Sequence, residues 1–167
     1  MTQVLILMGS DSDAAIMTAA GDVLTELGVT WDMTVASAHR SPARVTRLVS
    51  EAPSRGVRVF IVGAGAAAHL AGVVAAHTSL PVIGVPIDSS ALKGLDALLA
   101  TVQMPPGVPV ATVAIGKPGA TNAGVLAAQM LALADSTLAA RLVDYKKSLE
   151  QKVEAAAKKL ESQRRVP

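Results

Sequence analysis

Cysteine is absent from the 167 residues. No disulfide can staple the chain and no thiolate can hold a metal, so the sequence carries no mark of a redox compartment. Aromatic residues make up only 2%, namely Trp31, Phe60 and Tyr145. Single-stranded nucleic acid is usually held on aromatic stacking platforms, which argues against that class of partner. Charged residues are sparse at 17%. No apolar run reaches the roughly 18 residues of a membrane-spanning helix without a glycine, proline or polar break. Met1-Thr2-Gln3 leads straight into an apolar stretch with no basic segment before it, so no signal peptide is expected. The expectation is a cytoplasmic protein that engages neither nucleic acid nor membrane.

Hydrophobic residues, by contrast, reach 51%. That is ample for a large core, and the length fits one domain. The net charge of +2 is unevenly spread. From Arg141 onward eight Lys/Arg face four Asp/Glu, whereas the rest carries seven against nine. The basic tail alternates in sign at helical spacing, which marks a solvated helix face rather than a nucleic-acid site.

Short apolar runs alternate with helical periods along the chain. Strands are expected at Val4–Met8, Thr30–Ala36, Val57–Val62, Pro81–Val85 and Val108–Val113. Helical patterns follow each, with Gly28 closing the first and Pro42 opening the second. This alternation predicts an α/β fold with a parallel five-stranded sheet covered on both faces, a flavodoxin-like three-layer sandwich. Ligands of such sheets bind beyond the carboxyl ends of the strands. Residues 1–135 are expected to form the single catalytic domain. A long C-terminal helix over 136–167 is too long to pack on a small sheet, and predicts contacts with a second subunit.

Chemistry gathers in the loops after the strands. Gly9-Ser10-Asp11-Ser12-Asp13 opens the first helix, whose free N–H groups favour an anion. Ser10 and Ser12 add hydroxyls, Asp13 can accept from ribose hydroxyls, and Asp11 can cap the helix; ordinary N-cap chemistry also accounts for the whole group. Ser37-Ala38-His39-Arg40-Ser41-Pro42 follows the second strand. It joins a side chain that titrates near neutrality to a fork of donors suited to phosphate, although either can be a plain loop residue. Gly63-Ala64-Gly65-Ala66-Ala67-Ala68-His69-Leu70 follows the third strand. With Asp88 downstream it satisfies a dinucleotide fingerprint, but in the wrong place, since that pattern belongs after the first strand. Its small residues also suit a pocket floor for a flat ring, with His69 as a further polar contact or a helix-start residue. His77 lies inside the third helix and is expected to be structural or exposed. Gln103-Met104-Pro105-Pro106-Gly107-Val108-Pro109 is rigid and is expected to wall the pocket.

These segments, in this order, resemble the small class of N5-carboxyaminoimidazole ribonucleotide mutases, the PurE family of purine biosynthesis. The likeness continues through Leu80-Pro81-Val82-Ile83-Gly84-Val85-Pro86, Gly107-Val108-Pro109-Val110-Ala111-Thr112-Val113 and Asn122-Ala123-Gly124. The resemblance implies a flavodoxin-like octamer and a cofactor-free, metal-free isomerisation. The carboxylate on the exocyclic nitrogen of the ribonucleotide moves to ring carbon C4. It implies that His39 is the general acid/base. Ser10, Asp13 and Arg40 would contact phosphate and ribose, with Ser37 and Ser12 close by. Ala64 and Gly65 would meet base and carboxylate, with His69 as a further contact. The alternatives are an aminoimidazole ribonucleotide carboxylase using free CO2, or a non-enzymatic nucleotide-binding module. The chain departs from the family at two places. Ala66 replaces a glycine, which requires a backbone with no positive φ. Ala71 replaces a proline and is expected to loosen the start of the third helix.

Overall fold

The computed structural model describes residues 1–163. Five parallel strands form one sheet: β1 (Val4–Met8), β2 (Trp31–Val35), β3 (Val59–Gly65), β4 (Val82–Ile87) and β5 (Ala111–Thr112). Their order is β2-β1-β3-β4-β5, the doubly wound arrangement. Among the described residues six α-helices accompany them: α1 (Ala14–Glu26), α2 (Pro42–Glu51), α3 (Leu70–Ala76), α4 (Leu95–Val102), α5 (Gly116–Ala132) and α6 (Ser136–Gln163).

The central strands are buried on both faces, which is why they read as unbroken apolar runs. Because side chains alternate, β1 feeds two cores. Val4, Ile6 and Met8 meet Met17, Leu24 and the alanine face of α5. Leu5 and Leu7 meet Val45 and Val49 of α2, Leu70 and Val74 of α3, and Ala97 of α4. Each large aliphatic side chain so removed from water contributes about 1.5–3 kcal/mol. Gly124 explains one of the sequence signatures: a Cβ there would overlap Val23 and crowd the Ala20 carbonyl of α1, so α1 and α5 cross at close range.

Several boundaries move from their expected places. β3 runs on through the glycine-rich segment because β4 pairs with it as far as Gly65 opposite Ile87. β5 shrinks to two residues; Pro109 cannot donate to a ladder and only Ile83 and Gly84 find partners there. α4 begins at Leu95, after a turn built on Lys93 and Gly94, both at positive φ. α3 is regular from Leu70, with Ala71 buried in its first turn. Gly28 has φ +72 and closes α1 as the sequence predicts.

The 28 residues of α6 span about 42 Å. Its base is docked: Leu138 is buried, Leu142 and Tyr145 pack on the core, and Arg141 donates to the Leu27 carbonyl at the end of α1 (3.1 Å). Beyond that point Leu149, Val153 and Leu160 are exposed. The last four residues of the expected helix, 164–167, lie outside the described residues. Among the described residues no helix is long and apolar enough to cross a membrane.

Candidate active site

Reversal of strand order between β1 and β3 opens a crevice at the carboxyl edge of the sheet. A cleft of about 210 Å³ sits there, lined from the ends of four adjacent strands. The β1 loop supplies Gly9, Ser10, Ser12 and Asp13, and the β2 loop supplies Ser37, Ala38, His39 and Arg40. The end of β3 gives Ala64 and Gly65, followed by Ala67 and Leu70, and Ser89 arrives from β4.

The first loop is a single 3-10 turn, Asp11–Asp13, running into α1. Ser10 caps it, accepting from the Ser12 amide (3.4 Å). Asp11 does not cap the helix; Ser10 donates to its carboxylate instead (3.2 Å). Asp13 is buried beside Ser12, whose hydroxyl also reaches Ser10 (3.0 Å). Burial raises the Asp13 carboxyl above its ordinary range; the neighbouring Asp11 adds to this, while the Ser10 backbone, the Ser12 hydroxyl and Arg40 offset part of it.

The second loop is closed on itself. The Ser37 amide donates to Ser41 Oγ (3.1 Å), and the Ser41 amide donates back to the Ser37 carbonyl (2.9 Å). Arg44 of α2 anchors its base through the Val35 carbonyl (2.8 Å) and Thr34 (2.9 Å). Arg40 is fixed from two sides: its amide donates to Ser37 Oγ (3.2 Å) and its guanidinium to the Gly9 carbonyl (2.8 Å). This last bond crosses from the β2 loop to the β1 loop, so a cation stands beside the serine cluster.

His39, the residue before Arg40, pairs instead with the loop after β3. Its Nε2 is 2.9 Å from His69 Nδ1, with the rings edge to face. One hydrogen fills that gap, so one ring donates and the other accepts. His69 occupies the position before α3 without capping it, and its ring is engaged by His39 instead. The loop that presents it carries Ala66 at φ +49, in the left-handed region. The expectation that Ala66 avoids a positive φ is therefore overturned: alanine occupies the conformation that a glycine would adopt freely, at a cost of about 1–2 kcal/mol.

All nine sequence-nominated residues converge here, with His69 joined through His39. Other candidates do not. Asp88 faces Gly116 at the start of α5, and Gly63–Gly65 is strand rather than a dinucleotide loop. His77 is exposed at the end of α3, its Nδ1 2.8 Å from the Val73 carbonyl. The proline-rich segment does not wall the cleft: Met104 packs against Gly72, while Gly107 and Pro109 line a separate depression with Leu80 and Pro81. Ser89 was not nominated. Its only signal was its place just past a strand in a doubly wound sheet.

Fold and cleft together define a doubly wound α/β protein whose cleft brings a histidine pair close to an arginine and a cluster of serines. The chain belongs to the AIR carboxylase family, whose model matches residues 3–152. It is 53% identical to the N5-carboxyaminoimidazole ribonucleotide mutase of Bacillus subtilis, over 89% of this chain and 91% of that protein. It is 48% identical to the mutase of Thermotoga maritima, over 96% of this chain and 93% of that one. The crystal structure of Treponema denticola PurE superposes with a TM-score of 0.84 at 29% identity, covering 96% and 99% of the two chains.

Proposed function

We propose that the chain is an isomerase of purine biosynthesis that converts N5-carboxyaminoimidazole ribonucleotide to 4-carboxy-5-aminoimidazole ribonucleotide. The observation that carries this is His39, held at 2.9 Å by His69 over a small-residue floor and adjoining the Arg40–Ser10 seat. It is supported by about half-identity to named mutases over nearly the whole chain.

Arg40, Ser10, Ser12 and the start of α1 hold the phosphate, with Ser37 fixing Arg40. Asp13 accepts from the ribose. Ala64 and Gly65 let the ring lie close against backbone. His39 gives a proton to the exocyclic nitrogen as its carboxylate leaves as CO2. The freed aminoimidazole attacks that CO2 through C4, and His39 takes the C4 proton, which restores aromaticity and its own starting state. One group acting first as acid and then as base suits histidine, and such assistance is worth about 10²–10⁴-fold. Confining CO2 beside C4 adds a proximity term. His69 orients the His39 ring.

The test is an absorbance assay for the C-carboxylated product, with and without bicarbonate. Turnover of the N-carboxylated substrate without bicarbonate is expected; turnover of the uncarboxylated nucleotide with bicarbonate alone would make the chain a carboxylase. His39→Asn is expected to lower turnover about 10²–10⁴-fold with nucleotide binding retained. Binding without turnover in the wild type would leave only a binding module.

The proposal includes a division into a catalytic domain, 1–135, and an extension, 136–167, that joins subunits in an octamer. The exposed Leu149, Val153 and Leu160 on α6 support this. Light scattering is expected to give eight times the chain mass of 17.0 kDa. A monomer would overturn it. A cytoplasmic setting is proposed with it.

A further inference from the structure

Ser89 is the polar side chain of the cleft lining that the proposed mechanism leaves unused. It stands two positions beyond β4, where Ser90 rather than Ser89 holds the turn together. Ser90 accepts from the Leu92 amide through its hydroxyl (3.1 Å) and from the Lys93 amide through its carbonyl (3.0 Å). The other cleft hydroxyls are engaged: Ser10 with Asp11, Ser12 with Ser10, and Ser37 with Arg40. Among the described residues the Ser89 hydroxyl has no hydrogen-bond partner, although it lines the cleft.

Gly65 shows how closely that hydroxyl approaches the floor. A Cβ at Gly65 would overlap Ser89 Oγ. The absence of a side chain at Gly65 thus makes room for the serine as well as for a flat ring. Across the carboxyl edge the order is fixed by the sheet: Arg40 from β2, the serine cluster from β1, Gly65 from β3, Ser89 from β4. A nucleotide with its phosphate at the β1–β2 end and its ring over Gly65 directs its far end toward Ser89. In the carboxylated substrate and product that end carries the anion. The nearby acidic side chain, Asp88, is turned toward Gly116 and does not line the cleft, so it does not compete.

We infer that the Ser89 hydroxyl donates a hydrogen bond to the carboxylate of the ring, distinguishing carboxylated from uncarboxylated nucleotide. This rests on the mutase reading above. A hydrogen bond to a charged group in such a setting sustains roughly a ten- to hundred-fold difference in affinity.

The experiment compares wild type and Ser89→Ala for binding of two nucleotides that differ only in the carboxylate, aminoimidazole ribonucleotide and its 4-carboxylated form. Ser89 is exposed, so the variant is expected to fold, which its melting temperature checks. Affinity for the carboxylated nucleotide is expected to fall about ten- to hundred-fold, with affinity for the other unchanged. Gly65→Ala, which displaces the hydroxyl while leaving Ser89 in the sequence, is expected to weaken the carboxylated ligand more than the uncarboxylated one. Equal losses for both nucleotides in Ser89→Ala would place Ser89 on ribose or phosphate and overturn the inference, as would no loss for either. A wild type that binds neither nucleotide would instead remove the mutase reading, and the inference with it.

Discussion

Replacing Ala66 by glycine is expected to make the protein more stable, the reverse of the usual effect of that substitution. Ala66 sits at φ +49. A Cβ in the left-handed region costs about 1–2 kcal/mol, and glycine removes that cost. Glycine also gives the unfolded chain more freedom, which takes back about 0.4–1 kcal/mol. The net gain is about 1 kcal/mol, or roughly 2–4 °C in melting temperature for a chain of this size. Ala67 provides the internal control, because it follows in the same loop without a positive φ. There only the unfolded-state term acts, so Ala67→Gly is expected to lose about 0.4–1 kcal/mol. Thermal melts of the three proteins at one fixed concentration decide the matter, since assembly makes the midpoint concentration-dependent. Two adjacent alanine-to-glycine changes should move it in opposite directions. If Ala66→Gly melts at or below wild type, the strain argument is wrong.

Asp13 and Arg141 offer further tests. Burial raises the Asp13 carboxyl, so the folded chain holds that proton more tightly than the unfolded chain does. Its contribution to stability is present below the ordinary carboxylate range and is lost as pH rises through the raised folded value. Asp13→Asn is therefore expected to melt above wild type at neutral pH, with the gap closing in acid, while nucleotide affinity falls; a gap that widens in acid would contradict the desolvation argument. Arg141→Ala leaves the Leu27 carbonyl without its partner from α6. It is expected to cost about 1 kcal/mol, seen as a melting point roughly 2–4 °C lower, and an unchanged melt would mean that the contact contributes nothing.

The strand–helix alternation and the loops that bear chemistry were legible because each depends on local pattern. Val4–Met8 is apolar throughout since both its faces are covered, and that shows in the sequence alone. The end of β3 was not legible: Ala64 and Gly65 are strand because β4 lies beside them, and a single run of small residues does not name its neighbour. β5 failed the other way: Val108–Val113 looks like a strand, but it contains Pro109 and only Ala111 and Thr112 pair with β4. Ser10 and Asp11 exchanged the capping role because both residue types can fill it, and only the turn geometry chooses between them. Ala66 was misjudged because alanine is a poor witness to a positive φ. Ser89 was passed over because a lone serine has no spacing to betray it.

The bond from Arg40 to the Gly9 carbonyl has a bearing on inhibitor design. A free arginine side chain gives up roughly 1.5–2 kcal/mol of rotamer freedom when a ligand immobilises it. Here that ordering is completed when the chain folds, so a phosphate bound by Arg40 as proposed above gains about a ten- to thirty-fold advantage in affinity. The same tether joins the loop after β2 to the loop after β1. A compound designed to meet this guanidinium therefore starts from a side chain that the fold has already set in place.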